Sequence, residues 1–270
     1  MILFPNCKIN LGLYVTSKMP NGYHNLQTLF YPINLHDGLE LITQPAAAET
    51  TLSLSGIPLE HSADNSCLKA YALLKKDFPQ LPPVAIHLHK AIPAGGGLGG
   101  GSADAAFTLL LLNKKFRLQL SDAQLLQYAL QLGSDCPFFI INTPCLATGR
   151  GEVLQPIALD LSAYKIVLVN PGIHVNTGWA FSQLKIEDPG VPFAERINRP
   201  VTEWKTQLEN VFEGPIFEKH PAIRKIKEVL YENKAIYASM TGSGATVYGL
   251  FEKETTITHS FPTHYLVKEC

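Results

Sequence analysis

The stretch Pro-Ala-Gly-Gly-Gly-Leu-Gly-Gly-Gly-Ser-Ala-Asp-Ala-Ala, residues 93–106, decides the fold of this 270-residue chain. Six glycines in seven positions precede Ser102 and an alanine-rich apolar run, which predicts a loop that opens directly into a helix. Ser102 is the predicted N-cap, and apolar residues at helical spacing extend the helix over residues 103–113. Backbone N–H groups that converge at the positive end of a helix dipole bind anions. Phosphate is the ligand expected at this loop.

Three other interpretations of the loop fit less well. A Walker loop needs a lysine before the Ser/Thr, and Gly101 stands there. Gly95, Gly97 and Gly100 match the dinucleotide-binding pattern Gly-x-Gly-x-x-Gly, and Asp122 follows at about the sequence distance expected of a ribose-binding acid. However, that acid should end a second strand, whereas residues 121–124 form a capping box that opens a helix over residues 125–132. A flexible linker would be followed by polar sequence rather than by an amphipathic helix.

Composition mainly excludes classes of protein. With 46% hydrophobic residues, the chain can bury a large core, and its length suits about two domains. Because 22 basic residues balance 23 acidic ones, charge gives no reason to expect a nucleic acid or an acidic membrane surface as partner. The cysteines are odd in number and scattered, which indicates reduced thiols: Cys7, Cys67, Cys136, Cys145 and Cys270. With no apolar run near the roughly 20 residues of a membrane span and no signal-like N-terminus, we expect a soluble, cytoplasmic protein.

Strand and helix patterns alternate along the chain. Residues 8–15 alternate as in a half-buried strand, which predicts that Lys8 and Asn10 project from the face opposite the core. A turn at residues 20–22 predicts a hairpin with residues 26–31. Further predicted strands are residues 39–43, 50–55, 84–89, 165–170 and 245–251.

Breaks in the pattern mark the ends of the predicted elements. Gly133 is the predicted C-cap of the helix before it, and residues 134–137 break the chain before residues 138–141. A Pro-rich loop is expected at residues 188–200, and Pro221 starts another helix. A composition change near Gln155 and Pro156 predicts domains at residues 1–155 and 156–270.

Several motifs, in family order, resemble those of the GHMP kinases, which include galactokinase, homoserine kinase and mevalonate kinase. The loop at residues 93–102 is similar to the second motif of that family, and residues 241–245 (Thr-Gly-Ser-Gly-Ala) are similar to the third. Residues 8–11 (Lys-Ile-Asn-Leu), 21–29 (Asn-Gly-Tyr-His-Asn-Leu-Gln-Thr-Leu) and 133–138 (Gly-Ser-Asp-Cys-Pro-Phe) resemble one branch of the family. The Gly-Tyr-His element is the specific signal, because the glycine motifs alone give only the superfamily.

The resemblance implies an α+β, two-domain GHMP kinase fold. Its N-terminal domain, similar to ribosomal protein S5, carries the glycine loop, its C-terminal domain is ferredoxin-like, and the active site lies in the cleft between them. The implied activity is ATP-dependent phosphorylation of the 2-hydroxyl of 4-diphosphocytidyl-2-C-methyl-D-erythritol in the non-mevalonate isoprenoid pathway. Another GHMP kinase, acting on mevalonate or homoserine, and a non-catalytic nucleotide-binding relative are the alternatives. The implied protein is a monomer or homodimer without a prosthetic group.

Two catalytic residues follow from the resemblance. An alcohol is a poor nucleophile, so a carboxylate that accepts its proton and a cation that orients the polar groups are the expected helpers. Asp135 matches the base by motif position, and Lys8 matches the cation that spreads the charge of the transferred phosphoryl group. Without the resemblance, Asp135 is a solvated turn residue and Lys8 a surface charge.

The implied nucleotide site is the glycine loop, with Asn65 and Lys90 lining the nucleotide pocket. A satisfied loop asparagine and a solvated lysine are the alternatives for the latter two. Ser102 is a candidate for the Mg²⁺ that accompanies ATP or simply a helix cap, and Asp104 helps to position Mg²⁺ or points away. The implied nucleotide-binding residues of the loop are Pro93, Ala94, Gly95, Gly96, Gly97, Leu98, Gly99, Gly100, Gly101, Ser102 and Ala103.

The implied substrate residues surround a cytidine. Tyr23 and Phe181 are expected to sandwich the cytosine, His24 to recognise its edge, and Asn10 and Thr177 to hold the rest of the substrate. Ordinary core packing is the alternative for Phe181. Cys7 and Ser134 stand where the family commonly has alanine; both are small, and a thiol at Cys7 could block the site if it were modified.

Overall fold

The computed structural model describes residues 1–20, 22–59, 64–184, 186, 192–258 and 260–270, and the fold is α+β. The strands are β1 (Ile2–Leu3), β2 (Asn6–Lys18), β3 (His24–His36), β4 (Gly38–Thr43), β5 (Thr51–Gly56), β6 (Val84–Lys90), β7 (Cys145–Thr148), β8 (Val153–Pro156), β9 (Tyr164–Asn170), β10 (Tyr237–Met240), β11 (Val247–Glu252) and β12 (Leu266–Glu269). The α-helices are α1 (Ser66–Asp77), α2 (Gly100–Phe116), α3 (Asp122–Leu132), α4 (Cys136–Ile141), α5 (Thr177–Ser182), α6 (Phe193–Ile197), α7 (Trp204–Gln207), α8 (Glu213–Lys219) and α9 (Pro221–Glu232).

The chain forms two compact units that alternate along the sequence. The first comprises Met1–Cys7, Asn34–Ala94 and Gly99–Asn142, and the second comprises Lys8–Ile33, Gly95–Leu98 and Thr143–Cys270. No single cut of the chain produces this division, and the domain boundary expected near residue 155 stays a prediction.

The first unit is a four-stranded sheet covered by helices. Its strand order is β1-β4-β6-β5, with β5 parallel to β6 and the other pairs antiparallel. Alternate residues of β4 and β6, such as Leu41 and Ile86, are buried against α1 and α2. This period of two is why the sequence pattern found both strands. Helix α2 follows β6 through the glycine loop, so the loop begins at the end of a central strand and ends at the start of a helix that packs on the same sheet.

The second unit contains two four-stranded sheets. One sheet has the strand order β2-β3-β7-β8, and the other has the order β10-β11-β9-β12. The first residues of β2 and the last residues of β3 are assigned to the first unit. Helix α9 packs on the second sheet through Ile223, Ile226 and Leu230, which recur at helical spacing and contact a core that includes Val169 and Val247.

The sequence predictions for the start of α2 and for the exposed face of β2 are wrong. The N-cap of α2 is Gly99 in a left-handed conformation, not Ser102, because the chain turns into the helix three residues early, at a position where glycine carries no steric cost. Strand β2 does not expose one face: every residue from Asn6 to Val15 is buried, Lys8 and Asn10 included. Alternation indicated a half-buried strand, but side chains cover both faces.

Two other predictions are wrong in part: residues 193–197 of the expected Pro-rich loop form α6, and the expected break at residues 134–137 stops at Asp135, because α4 begins at Cys136. The remaining features named below are confirmed or lie outside the described residues. Ser121 and Gln124 form the predicted capping box of α3, and Gly133 caps its C-terminal end. Asn21, in the predicted turn at residues 20–22, lies outside the described residues, as do residues 188–191 of the predicted Pro-rich loop. Within the described ranges, no helix combines the length and the apolar character that crossing a membrane requires.

Candidate active site

The glycine loop is packed tightly against the turn that follows β10. Gly97 has a φ of +78°, and a Cβ at this position would lie 2.0 Å from the carbonyl oxygen of Thr241. The backbone can approach this closely only where the side chain is hydrogen. The glycine loop at residues 93–102 therefore packs directly against the turn at residues 241–245.

Hydrogen bonds hold the loop in this place. The N–H of Thr246 donates to the Gly96 carbonyl at 3.2 Å, and the N–H of Lys8 donates to the Leu98 carbonyl at 2.9 Å. The Thr241 hydroxyl lies 3.1 Å from the Gly97 carbonyl oxygen. The carbonyls of residues 96–98 are therefore all engaged by other parts of the protein, which support this conformation of the loop.

The ammonium group of Lys8 is fixed beside the loop. Lys8 is 3% exposed, and its Nζ donates to Asn10 Oδ1 at 2.6 Å and to the Gly97 carbonyl at 3.1 Å. The same Nζ lies 4.9 Å from the centroid of the Phe30 ring. The alternative of a solvated surface lysine is thereby excluded.

Asn10, the predicted substrate residue, is part of the network that holds Lys8. Its Nδ2 donates to the Thr28 hydroxyl at 3.0 Å, and its backbone N–H donates to the Thr241 hydroxyl at 3.0 Å. Tyr248 donates to its carbonyl at 2.7 Å. Since Asn10 is 3% exposed, the structure supports a role in orienting Lys8, and its contact with substrate stays a prediction.

The N-terminus of α2 supplies the donors expected of an anion site. Ala103 N–H already bonds to Gly99 O at 2.9 Å, so the N–H groups of Gly100, Gly101 and Ser102 precede the first intrahelical bonds. The helix runs for 17 residues, and its dipole favours an anion at this end. Burial raises the pKa of the Cys136 thiol to about 12, and the Ser102 side chain opposes this rise. Contact of Ser102 with Mg²⁺ stays a prediction.

Lys90 is buried in an ion cluster and is not the solvated lysine that the sequence left as an alternative. Its Nζ contacts Asp37 Oδ2 and lies 2.7 Å from Asp104 Oδ2, and all three side chains are at most 2% exposed. Burial raises the pKa of the Asp104 carboxyl to about 7, and the Asp37 charge adds to this against the opposing charge of Lys90. Burial alone would lower the pKa of Lys90, but the two carboxylates outweigh it and the pKa is raised.

Asn65 and Asp135 both lie at helix N-termini. Asn65 is the N-cap of α1, with its Oδ1 accepting from Cys67 N–H at 2.9 Å, so this oxygen already has a structural role. Asp135 is the N-cap residue of α4, where it is half-buried and Pro137 follows in the first turn. Both lie in the unit that contains Lys90 and the start of α2.

The predicted cytidine residues form an aromatic cluster, with pairings that differ from the predicted sandwich. His24 stacks on Phe181, with ring centroids 4.8 Å apart, and Phe212 packs edge-on against Phe181 at 4.9 Å. Tyr23 is 55% exposed, and the Arg150 guanidinium lies 4.9 Å from its ring centroid. Burial, helped by Lys18, lowers the pKa of His24, so its ring is neutral at neutral pH. Thr177 at the start of α5 shares a 2.9 Å hydrogen bond with Ser243.

Sequence reasoning missed three residues of these groups. Asp37 stands in a His-Asp-Gly segment, which is typical of an exposed turn. Thr241 begins a glycine motif, and nothing in the sequence predicts a separate role for its side chain. Arg150 follows a glycine between two short strands and gave no signal. The partners of these residues are distant in sequence, so only the fold brings them together.

Two family models match the chain. The model of the GHMP kinases N terminal domain matches residues 65–143, and that of the GHMP kinases C terminal domain matches residues 195–263. Among solved structures, a 4-(cytidine 5'-diphospho)-2C-methyl-D-erythritol kinase superposes with a TM-score of 0.79 at 31% identity, covering 93% of this chain and 90% of the other. The mevalonate kinase of Methanococcus jannaschii, at 14% identity and a TM-score of 0.72, shares the fold and covers 94% and 92%.

Curated relatives are similar over nearly the whole chain. A protein of Bacteroides fragilis is 52% identical over 260 residues, which is 96% of this chain and 94% of the relative. A protein of Cytophaga hutchinsonii is 49% identical over 96% of this chain and 95% of the relative. Both carry the name 4-diphosphocytidyl-2-C-methyl-D-erythritol kinase. This chain therefore belongs to the GHMP kinase family, in the branch formed by the kinases of that name.

Proposed function

We propose that this protein is an ATP-dependent kinase that phosphorylates the 2-hydroxyl of 4-diphosphocytidyl-2-C-methyl-D-erythritol, giving the 2-phosphate and ADP in the methylerythritol phosphate route to isoprenoids. The observation that carries the proposal is 52% identity over 96% of the chain to a kinase of that name. The glycine loop supports the proposal as a phosphate site, because backbone hydrogen bonds hold it and it ends at the N-terminus of α2.

Within this proposal, two residues carry the chemical step. The substrate oxygen attacks the γ-phosphorus of ATP, the bond from that phosphorus to the β–γ bridging oxygen breaks, and Asp135 accepts the proton of the hydroxyl. Lys8 supplies a fixed positive charge for the phosphoryl oxygens. Its bonds to Asn10 and Gly97 support this role, because a charge held in place stabilises a transition state without reorganisation.

ATP is proposed to bind through the N–H groups of residues 95–102, with Mg²⁺ arriving as part of the co-substrate. Ser102 is the side chain of the loop that has an oxygen to offer the ion. Asn65 is proposed to meet the nucleotide through its amide nitrogen, since its oxygen caps α1.

The cytidine end is proposed to bind at the aromatic cluster. His24 covers one face of Phe181 in the structure, so a cytosine between Tyr23 and Phe181 requires His24 to leave that face or the base to use the opposite one. A neutral His24 can donate and accept hydrogen bonds, as recognition of a cytosine edge requires. Thr177 is proposed to hold the rest of the substrate together with Asn10.

A substrate panel tests the proposal. ATP consumption is measured with 4-diphosphocytidyl-2-C-methyl-D-erythritol, mevalonate and homoserine as acceptors. We expect turnover with the cytidine substrate and background rates with the others. Preference for mevalonate or homoserine would assign the protein to another GHMP activity, and ATP binding without turnover of any acceptor would contradict a catalytic role. Cytosolic location and a monomeric or homodimeric state are part of the same proposal; fractionation and sedimentation test them.

A further inference from the structure

Lys90 lies in the strand end that leads into the glycine loop, three residues before Pro93. Its ammonium is 2% exposed and contacts two carboxylates, Asp37 and Asp104. A buried charge of this kind is stable only while it is paired. The ammonium is therefore engaged inside the unit rather than offered to a ligand.

The cluster connects the two ends of the loop. Asp37 Oδ1 accepts from the N–H groups of Ala91 and Ile92 at 2.6 and 2.9 Å, which holds the segment before the loop. Lys90 links that segment to Asp104 in the second turn of α2, just after the loop. The ends also touch directly, because a Cβ on Gly100 would lie 2.9 Å from Ile92 Cγ2 and 3.4 Å from Lys90 Nζ.

The two carboxylates are not equivalent. Asp37 accepts from three donors, whereas Asp104 Oδ2 accepts from Lys90, and Asp104 Oδ1 is a buried oxygen without a hydrogen-bond partner in the described part of the chain. Above the pKa of Asp104, which burial raises to about 7, both carboxyls are ionised and the cluster carries two negative charges against one positive. Loss of Lys90 would leave two carboxylates uncompensated on either side of the loop.

We propose that Asp37, Lys90 and Asp104 are positioning residues of the glycine loop, and that Lys90 acts on nucleotide binding through the backbone it holds and not as a phosphate ligand. The proposal rests on the proposed function only in taking the loop as the ATP site. It predicts that ATP affinity follows the charge balance of the cluster rather than the presence of the lysine.

The test measures ATP dissociation constants by calorimetry without an acceptor. Lys90→Met should weaken ATP binding about tenfold or more, because small displacements of binding groups are costly. A neutral cluster, Lys90→Met with Asp37→Asn and Asp104→Leu, should bind ATP within about threefold of wild type, since no charge is left unpaired and residue 37 still accepts both N–H groups. Lys114→Met, at an exposed position of α2, is the matched control and should change nothing.

Results that would overturn the positioning proposal differ from the result that would contradict the proposed function. A folded triple variant that still lacks ATP affinity would overturn the proposal, since the missing cation would then be a ligand. Normal ATP affinity in Lys90→Met, or equal loss of ATP and cytidine-substrate affinity, would overturn it as well. If the Lys90 variants do not fold, Asp37→Ala decides: loss of ATP affinity supports positioning, whereas unchanged or tighter binding contradicts it. Wild type that binds ATP but phosphorylates no acceptor would contradict the proposed kinase activity, whereas the ATP dissociation constants of the variants would still decide the positioning proposal.

Discussion

At the scale of single residues, the chemistry rests on how side chains are held rather than on which side chains are present. Lys8 is positioned by Asn10 and by the Gly97 carbonyl, so the amide and the loop backbone determine where its charge lies. Thr241 contacts both of these acceptors, and its hydroxyl couples the loop to Asn10. The site is thus assembled from neutral groups that orient one cation.

Asp135 is expected to be the proton acceptor. Asp135→Asn keeps the size of the side chain but cannot accept a proton, so kcat should fall about a hundredfold or more while ATP affinity changes little. Steady-state kinetics with the cytidine substrate measures this, and Asp122→Asn at the exposed start of α3 serves as control. A variant within a few fold of wild type would exclude Asp135 as the base.

Tyr23 and Phe181 should respond differently to truncation. Tyr23 is 55% exposed, so Tyr23→Ala should raise KM for the cytidine substrate about five- to 150-fold through lost stacking, leave KM for ATP unchanged and leave Tm unchanged. Phe181 packs on His24 and Phe212, so Phe181→Ala should also lower Tm. Tyr23→Phe, which keeps the ring, is the control. Equal effects of Tyr23→Ala on both substrates would assign Tyr23 to packing.

At the scale of elements, the sequence predicted the helices and strands that have a clear periodic or capping pattern. Strands β4 and β6 alternate, β9 contains a short continuous apolar run, and α3 has a capping box, so each was found within a few residues of its bounds. Helix α1 was missed although its buried residues Cys67, Ala70, Tyr71 and Leu74 have helical spacing. The helices α5 to α8 were missed because stretches of four to seven residues are too short to show a period. The start of α2 was placed late because serine is the commoner cap, whereas a left-handed glycine takes that position here.

The glycine loop should tolerate no side chain at residue 97. Gly97→Ala would bring a methyl group within 2.0 Å of the Thr241 carbonyl at a φ of +78°, so the loop must leave the turn that supports it. We expect KM for ATP to rise about tenfold or more, with a smaller effect on the KM of the cytidine substrate. Gly214→Ala, where a Cβ meets no atom within 4 Å, is the control. Unchanged ATP affinity would show that the loop does not need this close approach.

At the scale of the whole molecule, the motif residues could be predicted and their supporting partners could not. The loop, Lys8 and Asp135 belong to contiguous motifs, so a single sequence is enough to propose them as site residues. Asn10 and Thr241 are 231 residues apart, and Asp37 and Lys90 are 53 apart, so only the folded chain makes them neighbours. Burial also reverses what a polar residue means: Lys90 and Asp104 resemble surface charges in the sequence and form an ion cluster in the core.

Asp104 should make the stability of the molecule depend on pH. Burial raises the pKa of its carboxyl to about 7, above the value near 4 of an unfolded chain, so the folded state binds this proton more tightly. The stabilisation that this proton gives the folded state is fully present below pH 4. As pH rises toward 7 it is lost, and the free energy of unfolding falls by about 1.4 kcal/mol per pH unit. Asp104→Asn removes this dependence, so its Tm relative to wild type should rise between pH 5 and pH 8, whereas Asp122→Asn should follow wild type. Thermal unfolding across that range measures the difference, and parallel Tm curves for Asp104→Asn and wild type would mean that Asp104 is already ionised at pH 5.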